Sequence, residues 1–199
     1  MYLKQMGQVP LLTREQEVEI SKRIEEADER VAAHIHRFGF VARAHLELAA
    51  KLVEGGERFD RVILDKKIES RERYMKLLPR LCKKVQQMSG KLARDYEHLS
   101  RSGRVDGAKQ KDFEKAVGKL QSLYPQFFFK QRVTEEFVHL ADEHYARLRT
   151  VQEEMKKRGK HRHGPNPLTK RMREIEITLW LSTGEFNERY QELRDWLRK

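Results

Sequence analysis

The sequence predicts an all-α protein whose long helices form an irregular bundle. Three observations carry that expectation. Apolar residues recur at three- and four-residue steps along most of the chain, which places them on one face of a helix. Breakers are few, with 5 Pro and 11 Gly in 199 residues. No alternating apolar–polar pattern holds for more than a few residues, and no repeat of fixed period emerges.

The elements follow in order. Thr13 has the chemistry of an N-cap, and Gln16 three residues later completes a capping box. From there Ile20, Ile24, Ala27, Val31, Ile35, Phe38 and Ala42 keep helical register. The spacing predicts a helix to about Val53, bent near Gly39 and ended by Gly55-Gly56. A second helical stretch is expected from about Phe59 to Leu99, kinked or broken at Pro79 or Gly90. "SRSGRVDGAKQ" reads as a polar loop. Helix resumes from about Lys111 to Leu123, with Phe113, Val117 and Leu120 in register. "YPQFFFKQRVTEEF" reads as a turn dense in aromatic rings, after which Thr134 is expected to cap a helix holding Phe137, Ala141, Leu148 and Met155. "KKRGKHRHGPNP" reads as a linker. A final helical pair is split near "STGEF", with Thr183 as the expected cap of a last helix carrying Phe186, Tyr190 and Trp196.

Composition narrows the function. A hydrophobic share of 38% beside a charged share of 37% suits amphipathic helices with solvated faces. No apolar run approaches the ~20 residues that span a bilayer, and the N-terminus carries no apolar signal core. The one cysteine, Cys82, excludes an intramolecular disulfide and fits a reducing cytoplasm. A net charge of +11 favours a polyanionic partner, most simply nucleic acid.

Enzyme chemistry is not visible. There is no phosphate-cradling glycine motif, and no metal is expected. Cys82 lacks a second cysteine at zinc spacing. His34 and His36, two apart on a helix, point to different faces, while His161 and His163 sit among Lys and Arg that repel a cation. The carboxylates alternate with basic residues at helical spacing, as surface ion pairs do. Phe127, Phe128 and Phe129 could stack on bases, but core packing is the commoner use of such a cluster. Trp180 and Trp196 read as residues on apolar helix faces. The expectation is therefore a non-enzyme without cofactors.

The opening stretch is more specific. "YLKQMG" at Tyr2–Gly7 and "LLTREQEVEISKRIE" at Leu11–Glu25 resemble, in order and density, region 1.2 of primary bacterial sigma factors. More weakly, "FFFKQRVTEEFV" and "STGEFNERYQELRDWLRK" resemble later parts of the helical non-conserved region that such factors carry before region 2. Regions 2, 3 and 4 have no counterpart in these residues, so the resemblance implies a portion of a sigma factor. The division expected is a region 1.2-like segment over 1–34 and a non-conserved-region-like helical domain over 35–199. In relatives that insert is often acidic, whereas here it is basic.

The resemblance implies a function and a site. The partners would be the single-stranded promoter discriminator, next to the minus-ten element, and core RNA polymerase in the context of the full factor. Carried over position by position, Tyr2 would stack on a base, Leu3 would wedge against one and Lys4 would hold a phosphate. Met6 stands beside them, either at the strand or turned inward. The alternative is a stand-alone helical interaction module that regulates polymerase or another sigma factor.

Overall fold

The structure, a computed structural model, describes residues 13–102, 107–158 and 167–198. Within them the all-α expectation holds. The helices are α1 (Arg14–Ile35), α2 (Phe40–Val53), α3 (Phe59–Val62), α4 (Arg71–Ser102), α5 (Gly107–Gln121), α6 (Gln131–Arg158), α7 (Pro167–Leu179) and α8 (Thr183–Trp196). Short 3₁₀ turns lie at Asp65–Lys67 and Tyr124–Phe127. Among the described residues no helix is long and apolar enough to cross a membrane.

α1 begins as its sequence dictates. The Thr13 hydroxyl accepts from the Gln16 amide, and the Gln16 side chain accepts from the Thr13 amide at 2.9 Å. The expected continuation to Val53 is instead interrupted over residues 36–39. There the Gly39 amide donates to the Leu179 carbonyl at 2.9 Å rather than continuing its own helix. A β-carbon on Gly39 would stand 2.5 Å from the Trp180 ring and 2.8 Å from the Thr178 carbonyl. Only glycine admits this approach, and it lets the loop after α7 wedge between α1 and α2. Gly55, at φ +77°, ends the turn after α2 as expected.

The break expected at Pro79 or Gly90 is absent. α4 runs unbroken through both, and the chain bends earlier, over residues 63–70. Tyr74, Leu78, Val85 and Leu92 bury one face of α4 on both sides of the proline, and that burial outweighs the one hydrogen bond that proline deletes. Part of the stretch read as a polar loop is helical, because α4 reaches Ser102 and α5 starts at Gly107.

Two caps also move. α6 starts at Gln131, so Thr134 lies inside it. A small antiparallel bridge sets that start: the Leu64 amide donates to the Phe128 carbonyl and the Lys130 amide to the Val62 carbonyl, each at 2.8 Å. Phe128 makes the connecting turn at φ 49°. α8 is capped by Ser182, not Thr183, in a full capping box with Glu185. The Thr183 hydroxyl instead donates to Glu176 at 2.8 Å. Trp180, expected on a helix face, sits between α7 and α8 at φ 56°, buried against Gly39.

The core joins these pieces. α2 packs on α4, α4 on α5, α6 on α7, and the rear of α1 on α6 and α8. Phe38, Phe127 and Phe186 are fully enclosed, with Phe38 edge-on to Phe186 at 5.2 Å. Of the aromatic triplet, Phe127 is core, and its carbonyl accepts a hydrogen bond from the Tyr74 hydroxyl at 2.8 Å.

Candidate functional site

α1 has two halves in different surroundings. From Thr13 to Glu26 every residue is exposed. Its apolar positions are uncovered there, with Val18 49%, Ile20 38% and Ile24 54% exposed. The rear half is tied down. Asp28 accepts from the Gln131 side chain at 2.6 Å, Arg30 pairs with Glu26 and lies 4.6 Å over the Trp196 ring, and Ile35 is fully buried. His34 stands 3.6 Å from Glu192, and burial lowers its pKa. The front of α1 therefore projects from an anchored base, with its charged residues solvated and an apolar stripe beside Trp196.

Residues 1–30 match the family model of sigma-70 factor, region 1.2. This is the stretch that carries the exposed front of α1. The match supports a sigma-factor-related role in transcription initiation. Of the region 1.2 segment, the capping residue Thr13 and the following part of α1 are described. Tyr2, Leu3, Lys4 and Met6 lie outside the described residues, as do His161 and His163.

The junction behind α1 was not read from the sequence. His45, 2% exposed, is stacked on Tyr124 at 4.4 Å and on Phe129 at 5.3 Å, with Phe137 at 4.8 Å and His36 at 5.5 Å. Its Nδ1 lies 2.9 Å from the Val41 carbonyl and so carries the proton. Burial pushes the pKa of His45 down to about 3 and that of His36 to about 4. Both rings are neutral at neutral pH and fill an aromatic cage as uncharged amphipaths. Their one legible signal was position: His45 falls in register with the apolar face of α2 between Val41 and Leu48.

A groove of about 940 Å³ opens from this cage between α1 and α6. Its lining carries both signs of charge, with Glu25, Asp28 and Glu29 of α1 and Glu135 of α6 alongside Lys67, Arg194 and Arg198. Burial and the charge of Glu135 raise the pKa of Asp28. Among the described residues no group of three or more His, Cys, Asp or Glu is arranged to hold a metal ion. Cys82 is half-buried on α4, and burial pushes its thiol pKa up, away from a reactive thiolate.

Proposed function

We propose that this chain serves bacterial transcription initiation in the cytoplasm as the region 1.2-bearing part of a sigma factor. Residues 1–34 act as the reading segment and 35–199 as a helical spacer packed beside it. Tyr2 stacks on a base of the single-stranded discriminator, Leu3 wedges against a neighbouring base, Lys4 neutralises a phosphate, and Met6 lines the same contact. Core RNA polymerase and the opened promoter are the partners. The carrying observation is the region 1.2 match over residues 1–30. The solvated front of α1 is consistent with it, because a segment that meets a separate partner leaves its face free within its own chain.

The test uses holoenzyme assembled from core polymerase and a factor that contains this chain. Tyr2→Ala combined with Leu3→Ala should shorten the lifetime of open complexes in a discriminator-dependent way and leave core binding unchanged. Wild-type decay on every discriminator sequence would overturn the site assignment.

A second reading is a stand-alone helical module that binds polymerase or a sigma factor. The exposed pair Ile20 and Ile24 beside Trp196 favours it, since uncovered apolar surface suits a protein partner. Capture of core polymerase by the purified chain separates the two. The first reading expects weak capture, and tight capture would favour the second.

A further inference from the structure

The +11 charge is not spread evenly. On α4, Lys76, Arg80, Lys83, Lys84, Lys91 and Arg94 recur at steps of three, four or seven residues, and all are exposed. Steps of that size keep them within one face of the helix. That face is opposite the buried one, which carries Tyr74, Leu78, Val85 and Leu92. Arg73 and Arg101 extend the stripe at its two ends, each paired with a carboxylate one turn before it, Glu69 and Glu97. None of the six between them has a carboxylate within ion-pair distance among the described residues. From Arg73 to Arg101 the stripe runs about 42 Å.

We propose that this outer face of α4 is a docking track for the phosphate backbone of duplex DNA. Unpaired cations at a mean spacing near 5 Å suit a partner with closely and regularly spaced negative charges; duplex DNA carries about one per 1.7 Å of axis. A protein partner is a poorer fit. Protein interfaces centre on aromatic or other apolar anchors, and the large hydrophobic exposed here is Leu77 alone, at 51%. Single-stranded nucleic acid is also a poorer fit, because it is held by stacking on aromatic side chains. The two aromatics of α4 are turned away: Tyr74 is buried and Tyr96 packs near Phe113 at 5.9 Å. Contact through phosphates alone fixes position without reading sequence. The choice of DNA among nucleic acids rests on the proposed role at promoters, whereas the choice of α4 does not.

The test measures binding of the full chain to a fluorescent duplex of about 30 base pairs that lacks any promoter sequence, across a salt series. In one variant Lys76, Arg80, Lys83, Lys84 and Lys91 are each changed to Gln, which is also a good helix former. A charge-matched control changes Lys51, Arg132, Arg149, Lys170 and Arg173 to Gln. A third replaces the four stripe lysines by Arg and keeps the charge. Circular dichroism checks that helix content is retained in all three. The stripe variant should bind at least about tenfold more weakly at ~50 mM salt, and its log–log salt slope should fall by about 3 to 4.5, near 0.9 for each phosphate no longer neutralised by the five cations removed. The control and the Arg variant should keep the wild-type slope to within about 1. Equal weakening in the stripe variant and the control would mean that net charge alone binds DNA, and would overturn the proposal. So would equally tight binding of a single strand of the same length. Duplex affinity and salt slope unchanged in the stripe variant would overturn it as well. Because the duplex has no discriminator and Tyr2 and Leu3 are intact throughout, failure here leaves the region 1.2 reading standing, and failure of that reading leaves this result standing.

Discussion

The front of α1 and the stretch where α1 passes into α2 carry the same apolar spacing. Ile20 and Ile24 repeat as Ile35, Phe38 and Ala42 do, yet the first pair is 38% and 54% exposed and the others are 0–1% exposed. The difference lies in what surrounds them. The rear half is met by α6, by α8 and by Trp180 from the loop after α7, whereas the front has Trp196 beside Ile20 and Ile24 and stays exposed from Thr13 to Glu26. Periodicity reports that a face can be covered. It does not report whether the cover comes from the same chain.

Truncation at the two ends of the stripe should break or confirm this contrast most strongly. Ile35→Ala should cost about 2–4 kcal/mol and Phe127→Ala about 3–5 kcal/mol, because each leaves a cavity in a closed core. Ile24→Ala should stay within about 0.5 kcal/mol. Urea unfolding of the three variants measures this, and a cost for Ile24→Ala near that for Ile35→Ala would mean that the front is covered within the folded chain.

Acid should act on the rear region. His36 and His45 have folded pKa values of about 4 and about 3, below the unfolded value of 6.5. The unfolded chain therefore takes up protons first as pH falls. Stability from these two groups is complete above about pH 7, declines as pH drops through 6.5, and continues to decline toward pH 4. The slope approaches about 1.4 kcal/mol per pH unit for each histidine that stays neutral while its unfolded counterpart is charged. Thermal melts from pH 8 to pH 4 should show this limb, and His45→Phe, which keeps a ring against Tyr124, should make it shallower. A variant limb as steep as that of the wild type would remove His45 as its source.

The smallest contrast compares one motif in two settings. Thr13 and Ser182 both form complete capping boxes. Ser182→Ala should cost about 1 kcal/mol of global stability, because α8 is packed into the bundle through Phe186 and Leu193. Thr13→Ala should leave the global melt nearly unmoved and instead speed amide exchange over the first turns of α1, which open without disturbing the core. Hydrogen exchange resolved along α1 and α8 distinguishes the two, and a global destabilisation by Thr13→Ala equal to that by Ser182→Ala would show the front to be part of the cooperative unit.

The sequence by itself determined the fold class, the cap at Thr13, the end of α2 at Gly55 and the region 1.2 resemblance. Each rests on local chemistry: a hydroxyl within reach of an amide three residues on, a left-handed residue, a spacing, an ordered motif. The cations of α4 were equally readable at their helical steps, but whether they met carboxylates from other helices was not. Tertiary structure alone decided that the bend expected near Gly39 is a full break, and it alone decided the passage of α4 through Pro79, the start of α6 at Gln131 and the closure of the cage around His45. These depend on groups far apart in the chain, Leu179 with Gly39 and Val62 with Lys130 among them. A local pattern offers a face, a cap or a breaker, and whether it is used depends on which distant residues complete its hydrogen bonds and exclude its water.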